Sequence, residues 1–414
     1  MLTLKVSIAK LTKTLDSLVP PFSDGPTGYR INLEGGKATI ISRSKQEMSR
    51  APLEDVEVGW DGSFVLPVNC TNSIKHLSGD ITFTAEVEDN DRHVVKYKTD
   101  KGATGDLSSL DSRFITLFDK DLAAAEKKGT GVPVYTGVLR EALAITRPYM
   151  AKPGSEEHYR TIQIFDKSRE EWKSGNGFML AANGVRACFF YCPHFEDMGI
   201  SVHSDSMSHV LSFLAKCKGE VKSYQSDTTS YLVNSTGQVL GWQKHVKMHE
   251  RFGFLPLSRD QYILDLTVDD VLSALKFVRS GMGDKLDKVR VEYTHSDQCL
   301  RFKASGPFGK LDSFPVECKA EVEEVAGKPV KAGSKGLESD FALNADINYL
   351  ISLFDGVKGH RIALRVMTTS KGSKEYGMFR TIDKFFLTND GKIPIEETEE
   401  TQECQVIRFM PSRD

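Results

Sequence analysis

Three clusters in this chain bring together residue types that could do chemistry. Glu86-Val-Glu-Asp-Asn-Asp91 puts four carboxylates into six residues, the donor type that holds divalent cations for hydrolysis. Acidic residues and asparagine at this density also mark a turn between strands, and a solvated turn is the simpler reading. Gly281-Met-Gly-Asp-Lys285 has the glycines and lysine of a phosphate cradle. It lacks the spacing of a phosphate loop and follows a helical pattern where a strand is required, so it reads as a helix stop and turn. The ten histidines show no HExxH spacing, and Cys188 and Cys192 sit in a hydrophobic run that reads as buried strand. No catalytic residue, metal ligand or cofactor is expected, and the chain is not read as an enzyme.

The elements that would position any site come next. At 414 residues the chain is long enough for two to four domains. It is 40% hydrophobic and 27% charged with a formal net charge of -3, so bulk charge does not advertise nucleic-acid binding. The seven cysteines are odd in number and scattered without a CxxC pair, which reads as reduced thiols inside a cell. The start, Met-Leu-Thr-Leu-Lys-Val, turns polar quickly, and no apolar run approaches the ~20 residues a bilayer needs. A cytoplasmic protein without a membrane partner is expected.

A unit of short strand, amphipathic helix and alternating strands recurs six times, at intervals of roughly 60 to 80 residues. The first has Leu4, Val6 and a Ser7 cap, then Ile8, Leu11, Leu15 and Leu18 on one helical face. The second follows Phe64-Val-Leu-Pro67 and carries Ile74 and Leu77, and the third runs from Thr136 through Leu139, Ala142, Leu143 and Thr146. The fourth starts at Ser204 with Met207, Val210, Leu211 and Leu214. The fifth opens on Thr267-Val-Asp-Asp270, a capping-box pattern, and buries Val268, Val271, Leu272, Leu275 and Val278. The sixth opens at Asn344 with Ile347, Leu350, Ile351 and Phe354. Between helices the period switches to two, as in Ile81, Phe83, Ala85 and Val87 or Val289, Val291 and Tyr293.

Interruptions at 119–131 and near 258–261 divide the six units into three pairs. The expected domains are 1–120, a linker at 121–131, 132–257 and 258–414. The fold class is α+β: three tandem domains of two strand-helix-strand units each, with antiparallel sheets outside and helices along one common face. If the array closes, the helices line a hole. Their unburied faces carry Lys10, Lys13, Lys75, Arg140, Arg147, Lys216, Lys276 and Arg279, cations that would bind duplex DNA through its phosphates without reading bases. For any one of them a merely solvated helix face is the simpler reading, and recurrence on several copies favours the DNA-facing one.

Three segments carry a resemblance. Phe178-Met-Leu-Ala-Ala-Asn-Gly-Val-Arg-Ala-Cys-Phe-Phe contains Asn183-Gly184, a type I′ hairpin signal in its own right. Glu250-Arg-Phe-Gly-Phe-Leu-Pro256 and the terminal Val406-Ile-Arg-Phe-Met-Pro-Ser-Arg-Asp414 are the other two. In this order and spacing the chain resembles the three-domain bacterial-type sliding clamp, the beta subunit of DNA polymerase III, over essentially its whole length. The resemblance implies a homodimeric ring around double-stranded DNA, opened by a clamp loader and tethering DNA polymerase and other proteins that carry clamp-binding motifs. It also implies a cleft for their peptides, formed here by Gly184, Val185 and Arg186, by Phe254, Leu255 and Pro256, and by Phe409, Met410 and Pro411. The apolar run Val406, Ile407, Phe409 and Met410 argues for a packed tail.

The chain departs from the family at Val185, Ala187, Gly253, Ser412 and Asp414, which implies altered peptide preference. Met282-Gly283 replaces the paired apolar residues of the family's dimer contact. The segments 306–339 and 381–403, with the acidic run Glu396-Glu-Thr-Glu-Glu400, are longer than is typical and read as extended outer hairpins, which suggests a phage or divergent member. A repeat-built peptide-binding scaffold that does not encircle DNA is the alternative.

Overall fold

The computed structural model describes all residues except 22–27, 89–91, 109–115, 130, 166–176, 218, 245–261, 283–286, 307–308, 321–323, 326–327, 330–339, 372–373, 395–400 and 413–414. Among the described residues no helix is long and apolar enough to cross a membrane. Two compact units form: one takes Met1–Thr136 and Ile200–His245, the other Gly137–Gly199 and Val246–Asp414.

In the first unit, α1 (Ile8–Ser17) buries Ile8, Leu11 and Leu15, and α2 (Val68–Ile74) buries Ile74. Each is short, so its stability comes from the apolar stripe pressed onto a sheet, at about 1.5–3 kcal/mol per fully buried aliphatic side chain. Ser7 holds the N-cap position of α1 but makes no side-chain capping bond. The expected connector at 121–131 is helical through Lys128, within α3 (Thr116–Lys128), where Leu122 and Ala125 are buried. Asp121 of that helix accepts hydrogen bonds from Ser226 (2.9 Å) and Tyr231.

A continuous antiparallel ladder runs through this unit in the order 132–134, 221–225, 229–234, 239–243, 47–53, 37–43, 28–34 and 62–67. Its seam pairs Trp242 with Glu47 and Val239 with Arg50, joining segments nearly two hundred residues apart. A second sheet pairs Leu2–Ser7 with Asp80–Glu88 and the strands that follow. Ile81, Phe83 and Ala85 alternate into its core as period two requires. The acidic run begins in a paired strand, with Glu88 opposite Arg92, while 89–91 lie outside the described residues.

The second unit carries α4 (Thr136–Thr146) from Gly137 onward, and that helix buries Val138, Leu139, Ala142, Leu143 and Thr146. The remaining helix of the first unit is α5 (Met207–Lys216), preceded by a turn at 204–206 where the sequence had suggested a helical start. Also in the second unit, α6 (Val268–Met282) and α7 (Ile347–Phe354) pack against one another over a single core that contains Val271, Leu275, Val278, Leu350, Phe354 and Met410.

Asn344 does not open α7. It is a strand residue opposite Arg290, and the helix begins three residues later, because Asp346 Oδ1 accepts from Asn348 N at 2.9 Å and Tyr349 N at 3.1 Å. A carboxylate holding two otherwise orphaned amides sets the boundary.

Asn183-Gly184 also differs from expectation. Only Gly184 has a positive φ, at +83°, whereas a type I′ turn needs two. Instead the turn spans four residues: Asn183 N donates to Arg186 O at 3.1 Å, and Asn183 Oδ1 accepts from Val185 N (3.1 Å) and Arg186 N (2.9 Å). The asparagine side chain supplies the turn that a second left-handed residue would have supplied.

Candidate peptide cleft and nucleic-acid interface

The tail forms the strand Thr401–Pro411. It lies between two others, with Ala187 opposite Phe409 on one side and Arg380 opposite Phe409 on the other. Alternation sends neighbouring tail residues to opposite faces. Phe409 packs edge-on against Phe189 at 5.7 Å in one apolar cluster, and Met410 enters the core under α6 and α7. The tail is thus an interior strand, and its turn-proximal end adjoins the 183–186 turn through the hairpin strand Ala187–Tyr191.

That end is held by Arg186. Its guanidinium lies 4.9 Å from the ring centre of Tyr149 and 4.4 Å from that of Tyr349 on α7. It donates to Ser352 Oγ at 2.6 Å and to Pro148 O, while Tyr149 donates its hydroxyl to Ser352 O at 2.6 Å. Burial pushes the Tyr149 phenol up and draws the Arg186 guanidinium down, and two ring faces and two acceptors stabilise the cation although its Nε has no hydrogen-bond acceptor. Arg186 therefore ties the turn, the segment after α4 and α7 together.

Of the nine cleft residues expected, the structure gathers Gly184, Val185 and Arg186 with Phe409, Met410 and Pro411. Val185 is 49% exposed and Pro411 is exposed, whereas Phe409 and Met410 are buried. Phe254, Leu255 and Pro256 lie outside the described residues. Sequence reasoning missed Tyr149, Tyr349 and Ser352, since nothing in their local pattern marks them as partners of a turn in another segment.

The cations sit where helical periodicity put them: Lys10 and Lys13 on α1, Lys75 just after α2, Arg140 on α4, Arg147 in the turn after it, Lys216 on α5, Lys276 and Arg279 on α6, all exposed. Two already face carboxylates. Lys10 pairs with Asp55, and Lys75 with Asp16 at 2.5 Å. Phe277, beside Lys276 and 50% exposed, was not singled out by the sequence pattern. Among the described residues, no group of three or more His, Cys, Asp or Glu side chains is arranged to hold a metal.

No protein-family model matches this chain, and no curated protein does. Solved structures do. The Caulobacter crescentus beta sliding clamp matches with a TM-score of 0.72 at 12% identity, covering 100% of this chain and 99% of that one. This chain has the sliding-clamp fold. The Pseudomonas aeruginosa DNA polymerase sliding clamp gives 0.68 at 13% identity over 100% of both chains, and that of Bacillus subtilis 0.69 at 12% over 100% and 99%. The likeness runs the full length of each clamp, so none of the six helix-and-sheet units is left over. At this identity few residues are shared with those clamps.

Proposed function

We propose that this protein is a DNA sliding clamp, a non-catalytic processivity factor that encircles duplex DNA and tethers a replicative polymerase. The observation that carries the reading is the full-length likeness to DNA polymerase sliding clamps, with a TM-score of 0.72 over 100% of this chain. Three domains, 1–120, 132–257 and 258–414 with a linker at 121–131, form half of a homodimeric ring, loaded by an ATP-dependent clamp loader in the cytoplasm.

Lys13, Arg140, Arg147, Lys216, Lys276 and Arg279 face DNA phosphates, with Lys10 and Lys75 contributing less because of their carboxylate partners. Such contacts retain DNA through counterion release and are indifferent to sequence. The turn 184–186, the segment 254–256 and the tail 409–411 form the cleft for linear peptides of the polymerase, the loader and other partners, an apolar pocket with few polar anchors being suited to that task. Val185 gives the cleft an apolar, exposed edge.

The test has two parts. Negative-stain images of the purified full chain should show closed toroids with a central hole wider than duplex DNA. Protein assembled on nicked circular DNA should persist through gel filtration at low salt and be lost on linearisation. Particles without a hole, or equal retention on circular and linear DNA, would overturn the assignment.

A further inference from the structure

The register that seats the tail also brings two cysteines face to face. The ladder's last pair is Tyr191 opposite Gln405, and one further step in the same register sets Cys192 across from Cys404. Cys192 is fully extended, with φ -155° and ψ 136°, and its N–H donates to Gly177 O at 3.2 Å, away from the tail. Toward the tail it therefore stands in a non-hydrogen-bonded pair, the closer kind, with Cα atoms roughly 4.5 Å apart. That lies within the roughly 4.4–6.8 Å a disulfide spans.

Both thiols are fully buried and both are free. The other close pair differs: Cys299 is opposite Glu317 in its ladder, with Cys318 one residue out of register.

We propose that Cys192 and Cys404 form a reversible cross-strand disulfide, a redox clasp that fastens the tail strand to the hairpin strand Ala187–Tyr191. The oxidant is a peroxide. One thiolate attacks a peroxide oxygen, the O–O bond breaks, and a sulfenic acid and water result. The partner sulfur then attacks the sulfenic sulfur and expels a second water. Two thiols thus lose two electrons and two protons, and the peroxide is reduced to two waters.

A hydrogen bond from Cys404 draws the Cys192 thiol down, while that same bond and burial push Cys404 up, so Cys192 is the first thiolate. The clasp joins strands distant in sequence and so restricts the unfolded chain strongly. It stands apart from the DNA-encircling reading and holds or fails without it.

The experiment treats the reduced full chain with hydrogen peroxide and, because the thiols are buried, also refolds it in a mixture of reduced and oxidised glutathione. Non-reducing peptide mapping should find one peptide joining Cys192 to Cys404, two hydrogens lighter than its parts. The melting temperature should rise by several degrees and return on adding dithiothreitol, and Cys192→Ala and Cys404→Ala should each abolish both effects. Cys192 and Cys404 still alkylatable after both treatments, or joined to other cysteines, would overturn the proposal.

Discussion

The Arg186 guanidinium lies 4.4 Å from the ring centre of Tyr349, a contact that fixes a surface turn to a helix from a distant segment. Because this cation is half-buried between two rings and also donates to Ser352 and Pro148, removing it loses more than a surface charge. Arg186→Ala should destabilise the second unit by about 2–3 kcal/mol, the scale of a desolvated cation–π contact plus charged hydrogen bonds. Arg186→Lys should recover only part of this, since an ammonium cannot fork to two acceptors while lying flat between rings. Denaturant unfolding of the three proteins checks the order.

Arg408 and Asp383 form a pair sealed from water, 3.7 Å apart and 1% and 4% exposed. Asp383 also accepts from Lys358 N at 3.0 Å. Asp383→Ala strands a buried cation, and the expected loss is about 3–5 kcal/mol. The double change Asp383→Ala with Arg408→Met should be less damaging than the single one. Thermal melts of both variants decide this, and a double variant as weak as Asp383→Ala would refute it.

His209 Nδ1 sits 2.7 Å from Glu47 Oε2, and that hydrogen bond raises the His209 imidazole above its ordinary value. A raised folded pKa means that protonation favours the folded state. The contribution is complete below the unfolded value, about 6.5, and is lost as pH rises through the folded one. His209→Gln should therefore lower the melting temperature near pH 6 and have a diminishing effect toward pH 8. A gap between wild type and variant that widens with pH would contradict this.

Charge removal at the paired cations and charge reversal on α6 separate the two groups. Lys10 and Lys75 already face Asp55 and Asp16, so Lys10→Ala and Lys75→Ala should hardly change DNA retention. Lys276→Glu with Arg279→Glu should weaken it and flatten its salt dependence, each lost phosphate contact reducing the slope by about 0.9. Binding isotherms at several salt concentrations measure both. Equal slopes for all variants would remove these helices from the interface.

The sequence by itself determined six helices, though not α3, which it read as a connector, and the strands around Phe83 and Val291. Positions such as Leu11, Val271 and Phe83 recur at 3.6 or 2 because one face of each element must leave water, and that requirement is written locally. It also marked the tail as too apolar to stay in solvent.

Only the tertiary structure decided which strands are neighbours. The pairing of Ala187 with Phe409, the seam of Trp242 with Glu47, the aromatic seat of Arg186 and the meeting of Cys192 with Cys404 all join segments that carry no mutual signature. Register between distant strands is set by the combined burial of both faces once the chain is compact, and no window of sequence contains that sum. Asn344 fails locally for the same reason, since ladder pairing with Arg290 holds it in a strand, whereas the Asn183 turn is settled within 183–186 by the asparagine's own side chain.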